Sequence, residues 1–159
     1  LSEAVYYTDL IDLGDRATVG RVRWLQQAVG EQVFSNVSLR VRSGNDDPPV
    51  LYRREGKGEF GDPFIIEVTG EKYHQLERFE QAPLIDDEEN WSQWKSVEND
   101  ALVTAPGPRR YVQFRLDFSG RIFDAREVAR LQFDYPSHFS LCGAAQVNGT
   151  GAWLRPLGN

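Results

Sequence analysis

Two tryptophans three residues apart, Trp91 and Trp94, are the first residues in this chain whose type and spacing suggest chemistry. In an extended strand, positions three apart face opposite sides. Two arrangements are open. Both rings pack inward, as tryptophan does on average, or one packs and Trp94 lies outside as a flat platform for a sugar ring. A second set is cationic: Arg21, Arg23, Arg40, Arg42 and Arg115 alternate with apolar residues along predicted strands. If those strands are neighbours, the guanidinium groups form a stripe. The stripe is either a surface ladder of ion pairs with carboxylates or a groove for an acidic polysaccharide or a partner. Trp94, Arg40, Arg42 and Arg115 are therefore the candidate ligand-binding residues.

The acidic run Asp86-Asp87-Glu88-Glu89, with Asp46-Asp47 earlier in the same stretch, offers oxygens of the kind Ca²⁺ takes six to eight at a time. Asp86, Asp87 and Glu88 are the candidate metal ligands. The EF-hand spacing is absent, and a solvated acidic run is the competing reading. No other cofactor is expected.

Catalytic signatures are missing. His74 and His138 are the only histidines, and each stands alone in sequence. There is no Gly-x-Ser-x-Gly elbow, no His-Glu-x-x-His and no phosphate-cradling loop. Gly56-Lys57-Gly58 lacks the strand–helix context such a loop needs. Cys142, in Ser140-Leu141-Cys142-Gly143-Ala144-Ala145, has the small apolar surroundings of an inert thiol rather than the electropositive setting of a nucleophile. Asn36, Asn90 and Asn148 match the N-glycosylation pattern, and three such matches can arise by chance in a chain of this length. No catalytic residue is named.

The elements that must position these residues are mostly strands. The stretch 109–118 alternates strictly: Val112, Phe114, Leu116 and Phe118 are apolar, with Gln113, Arg115 and Asp117 between them. That period of two marks a strand with one wet face, bounded by Pro106-Gly107-Pro108 and Ser119-Gly120. It reads as the central strand of a sandwich. Residues 3–11 read as a first strand, with a turn at Asp12-Leu13-Gly14-Asp15. Residues 19–29 hold a second strand, with Val22 and Trp24 on one face and Arg21 and Arg23 on the other. Residues 33–42 form a third, in which Val37, Leu39 and Val41 alternate with Ser38, Arg40 and Arg42. Trp91 to Val97 resumes the pattern in part. Residues 128–135 form the last clear strand, with Ala129, Leu131, Phe133 and Tyr135 sharing a face. Val147 and Trp153-Leu154 are expected to pack back on the body.

Between them, 45–90 is rich in glycine, proline and charge. It holds a short apolar run, Phe64-Ile65-Ile66, and helical spacing of Tyr73, Leu76 and Phe79 over 71–80. It reads as a long, partly irregular insertion between strands, with too few large apolar residues for a core of its own. The expected architecture is all-β: one antiparallel sandwich domain over 1–159, jelly-roll-like, of about eight strands.

The composition agrees with that reading. At 159 residues, 40% hydrophobic and 26% charged, the chain can bury one core. A net charge of -6 argues against a nucleic-acid partner gripped through bulk charge. No apolar run approaches the roughly 18 residues of a membrane span, so direct membrane insertion is not expected. One cysteine precludes an intrachain disulfide. The start lacks a signal-peptide pattern and the chain contains no methionine, which suggests a domain excised from a larger protein.

Five pieces in order carry a resemblance: Asp12-Leu13-Gly14; Arg21-Val22-Arg23-Trp24; the run 37–45 from Val37 to Asn45; Trp91-Ser92-Gln93-Trp94; and the run 108–116 from Pro108 to Leu116. Together they resemble discoidin-like (galactose-binding-like) β-sandwich modules of large secreted or surface proteins of bacteria. The resemblance implies a non-catalytic accessory module, extracellular or at the cell surface, that binds carbohydrate or a neighbouring protein domain. It brings no fixed ligand motif, and the 45–90 insertion departs from it. Two alternatives stand beside it. One is a structural spacer in a surface assembly. The other is a small jelly-roll hydrolase or lyase, with His74, Arg53 or Arg54 and a carboxylate converging under the insertion.

Overall fold

The structure is a computed structural model and describes residues 2–135. His138, Cys142, the Asn148 sequon and the expected packing of Val147, Trp153 and Leu154 lie outside the described residues. Two compact units are present: Pro48–Trp91 is one, and the chain on either side of it forms the other.

The flanking chain is an antiparallel β-sandwich, as its alternation predicts. The central strand of the larger sheet is β11 (Arg109–Gly120). On one side it pairs with β4 (Asn36–Gly44) in unbroken register from Tyr111↔Gly44 to Ser119↔Asn36. On the other side it pairs first with β2 (Ile11–Ala17) and then with β1 (Ser2–Tyr7). A short strand, β9 (Lys95–Val97), adds to the free side of β4. The second sheet places β3 (Arg21–Val29) between β10 (Ala101–Leu102) and β12 (Ala125–Phe133). Inward residues of both sheets make one core, in which Val22, Val41, Val112, Phe114, Leu116 and Leu131 are fully buried. The Phe114 and Phe133 rings meet across the two sheets at 5.2 Å. Burying one such side chain stabilises the fold by about 1.5–3 kcal/mol.

The departures from the sequence reading have local causes. Residues 3–11 are not one strand, because β1 ends at Tyr7. Thr8 is buried: its N–H donates to the Phe114 carbonyl, and its hydroxyl accepts from the Phe114 N–H, both at 3.0 Å. The chain then resumes as β2, still beside β11. Residues 12–15, expected as a turn, lie inside β2 as a bulge, where Arg109 pairs with Ala17 and Tyr111 with Asp12. Gly14 there has φ +80°, and its N–H donates to Asp12 Oδ1 at 2.8 Å, so the turn chemistry is real but is spent within a strand. Arg110 clamps the same carboxylate with Nε and Nη2, each at 2.8 Å. That hydrogen bond, helped by the Gly14 amide, lowers the Asp12 pKa to about 2.

Strand β4 begins at Asn36 because Gln32–Phe34 forms a 3-10 turn. In β12 a bulge between Val128 and Arg130 turns Val128 inward, so Val128, Leu131 and Phe133 are buried and Ala129 is exposed. Arg21 and Arg23 belong to the second sheet and stand apart from Arg40, Arg42 and Arg115. They pair with Asp100 and Asp134.

The 48–91 stretch does intervene between two paired strands, β4 and β9. Its ingoing and outgoing strands, β5 (Val50–Leu51) and β8 (Ile85–Asp86), pair with each other. A hairpin of β6 (Arg53–Lys57) and β7 (Pro63–Glu67) follows. The predicted helix over 71–80 is only α1 (Gly70–Gln75). It starts at Thr69, whose hydroxyl accepts from the Lys72 N–H. It stops at Leu76, where the Gln81 amide donates to the Tyr73 and Leu76 carbonyls and satisfies groups a longer helix would have used. Tyr52, Tyr73 and His74 form a small ring cluster, and the Tyr73 hydroxyl donates to the Ala82 carbonyl at 2.9 Å. Polar bonds and ring contacts link the segments of this unit, among them Arg54 to Glu80 and Tyr52 to Tyr73.

Candidate ligand-binding site

The register of β4 on β11 decides which charged groups meet. Leu39 and Val41 face the core, so Arg40 and Arg42 face outward. Opposite them on β11 stand Arg115 and Gln113 respectively. Tyr7 of β1 lies across from Arg115 on the other flank. On β9, Lys95 pairs with Val41, which places Trp94 one position earlier, level with Arg42. The four sequence candidates, Trp94, Arg40, Arg42 and Arg115, therefore share the outer face of the five-stranded sheet.

Their contacts make a layered platform. Trp94 covers Arg42, with the guanidinium carbon 4.5 Å from the ring centre. Arg42 is only 6% exposed, and its Nε and Nη2 donate to Gln113 Oε1 at 3.1 and 2.8 Å. Gln113 Nε2 donates in turn to the Thr8 carbonyl at 2.9 Å. A desolvated cation under an indole is worth about 2 kcal/mol, and here it fixes the ring from beneath. Tyr7, half exposed, approaches Trp94 to 5.9 Å between ring centres, tilted by 55°. Strands β1 and β9 are three strand spacings apart, about 14 Å. Both rings must therefore lean inward over β11 and β4. Arg115 supports Tyr7 at 5.6 Å.

Beside the rings lies a charged pair with a third member. Arg115 Nε and Nη2 both donate to Asp117 Oδ1, at 2.9 and 2.6 Å. The Arg40 Nε is 3.6 Å from Asp117 Oδ2. The hydrogen bonds it donates to Asp117 raise the Arg115 pKa still further, so this guanidinium stays charged at any accessible pH. The ion-pair ladder weighed against the groove is thus present, and it shares the face with the aromatic platform.

Sequence reasoning did not find Tyr7, Gln113, Asp117 or Thr8. Gln113 and Asp117 were visible as the polar positions of the alternating strand, but only the register gives them partners. Nothing in the sequence marks Thr8, whose role arises from a break between strands.

The acidic run is placed differently from a Ca²⁺ loop. Asp86 and Glu88 are exposed and Asp87 is buried. Asp87 Oδ1 accepts from the Glu89 and Asn90 backbone N–H groups at 3.2 and 3.1 Å, and Oδ2 accepts from Asn90 Nδ2 at 2.9 Å. Its carboxylate organises a turn. Among the described residues, no group of three or more His, Cys, Asp or Glu side chains is placed to hold a metal ion. The residues named for a hydrolytic site are also dispersed over separate partners. His74 packs edge-on against Tyr52 and Tyr73. Arg53 donates to the Pro83 carbonyl, and Arg54 pairs with Glu80 at 2.6 Å. Among the described residues, no helix is long and apolar enough to cross a membrane.

Compared with protein-family models, with curated proteins and with solved structures, the chain matches none.

Proposed function

We propose that this chain is a non-catalytic binding module that takes a carbohydrate on the outer face of its five-stranded sheet. The observation that carries the reading is the pair of leaning rings, Trp94 and Tyr7, each backed by an arginine. Flat aromatic faces fixed in advance suit the apolar face of a sugar ring, since little side-chain freedom is lost when the ligand arrives. The surrounding amide, guanidinium and carboxylate groups supply donors and acceptors for hydroxyls. The resemblance to discoidin-like modules points the same way, and with it to an extracellular or cell-surface setting in bacteria.

The test is binding of the whole chain to a panel of glycans, followed by thermal shift and by tryptophan fluorescence. Ligand that binds the native state raises the melting temperature by mass action. The expected result is a shift with at least one glycan, lost in Trp94→Ala and reduced about tenfold or more in Tyr7→Ala. Binding that survives Trp94→Ala unchanged would place the ligand elsewhere. Adding millimolar Ca²⁺ to the same panel checks the acidic run independently.

A second reading, a structural spacer that docks on a neighbouring protein domain, is favoured by one specific observation. Ile122 and Phe123, in the turn between β11 and β12, are each 86% exposed. Turn positions ordinarily carry small or polar residues. Ile122→Ser/Phe123→Ser in the intact parent protein would separate the readings, since it disturbs docking and leaves glycan binding unchanged.

A further inference from the structure

We infer that the platform selects neutral sugars over acidic ones, because Asp117 already occupies the place between Arg40 and Arg115 that a ligand carboxylate would take. This rests on the carbohydrate reading above and names the ligand class for that site.

A guanidinium binds a carboxylate best through two parallel N–H donors. Arg115 directs its Nε and Nη2 at Asp117 Oδ1, while the Arg40 Nε faces Oδ2 of the same residue. Asp117 sits two positions from Arg115 on the same face of the same strand, so the arrangement is built into β11. An acidic sugar that sought Arg115 or Arg40 would have to displace Asp117 from these bonds or lie against its negative charge. The remaining arginine of the face, Arg42, is covered by Trp94 and only 6% exposed. The protein as a whole carries a net charge of -6, which adds long-range repulsion of anionic chains.

A neutral sugar meets no such conflict. Each hydroxyl both donates and accepts. An arginine beside a carboxylate therefore matches two adjacent hydroxyls, one donating to Asp117 and one accepting from Arg115 or Arg40. The Asp117 and Arg115 side chains remain 23% and 24% exposed, so the pair is reachable from the outer face, although Asp117 Oδ2 itself is buried beside the Arg40 Nε. The rings take the apolar face of the same sugar, so both parts of the site act on one ligand.

The experiment compares neutral hexose polymers with uronate polymers of matched length. Each is titrated into the wild-type chain, Asp117→Asn and Trp94→Ala, at low and high salt. The wild type is expected to bind a neutral polymer about tenfold or more tighter than its uronate counterpart. Asp117→Asn keeps the rings and their backing arginines, and it is expected to shrink that preference several-fold by gaining uronate affinity. Wild-type discrimination is also expected to narrow as salt screens the repulsion, over a Debye length of about 10 Å at 0.1 M. That measurement tests the preference for neutral polymers even if Asp117→Asn does not fold. A wild type that prefers uronates, with binding that weakens as salt rises, overturns the inference and leaves the carbohydrate reading standing. Failure to bind either polymer class, with Trp94→Ala indistinguishable from wild type, overturns both.

Discussion

Thr8 engages its N–H, its hydroxyl and its carbonyl from one buried position between two strands. Thr8→Val keeps the shape and removes the acceptor for the Phe114 N–H. A buried donor left unsatisfied costs about 1–3 kcal/mol, so the urea midpoint is expected to fall with an unchanged m-value. Asp12 makes a pH prediction on the same scale. Its folded pKa of about 2 lies below the ordinary value for a free aspartate, about 3.9. The stability it contributes is therefore fully present above that ordinary value and is lost as pH falls through about 2. Because the Asp12–Arg110 pair is largely exposed, the effect on unfolding is small. The shift itself is better seen by NMR. The Asp12 carboxyl is expected to titrate near 2 in the wild type and to move back toward its ordinary range in Arg110→Gln. These residue-level facts were the least legible in the sequence. Asp12 and Gly14 signal a turn wherever they stand, and only pairing with β11 shows that the turn is a bulge.

At the scale of elements, alternation is reliable where one face of a strand is buried along its length. Strands β4 and β11 satisfy that condition, as does the first half of β3, and their inward residues Val22, Trp24, Leu39, Val41, Phe114 and Leu116 are the ones the sequence assigned to the core. It fails where a strand is short, bulged or at an edge. Ala129 fits the period of β12 and is nonetheless turned out by the extra residue beside it. The edge beyond β3 is finished by a side chain: the Asn99 amide accepts from the Trp24 N–H and donates to the Trp24 carbonyl, each at 2.9 Å. No pattern rule anticipates a side chain that imitates a strand. The candidate site was legible to the same degree. Alternation put Arg40, Arg42 and Arg115 on outer faces, and the β4–β11 register then joined them while sending Arg21 and Arg23 to the other sheet. The β11–β12 connection yields a further prediction. A Cβ at Gly120 would overlap the Asp124 carbonyl oxygen. Gly120→Ala is expected to destabilise the sandwich by about 1–3 kcal/mol, measurable as a lowered melting temperature.

At the scale of the whole molecule, the insertion is the feature the sequence located but could not fold. Composition suggested an insertion over 45–90, whereas its ribbons and short helix depend on polar contacts between residues far apart in the stretch. Because β4 and β9 are paired on either side of it, replacing 48–91 by a short Gly/Asn turn is expected to leave a cooperatively melting sandwich with unchanged β-type circular dichroism. Loop length alters closure entropy only slowly, by about 0.6 kcal/mol per doubling. The same pairing has a mechanical consequence. When the chain is pulled from its ends, the ladder from Leu39↔Val97 to Val41↔Lys95, with the Ser92 N–H donating to the Ser43 carbonyl, carries tension directly from β4 to β9. The 48–91 unit hangs in a slack loop outside the load path. It bears no force until β9 peels away, and its release then adds about 150 Å of contour at ~3.5 Å per residue. A protein pulled at both ends would keep that length in reserve and spend it only after its first rupture.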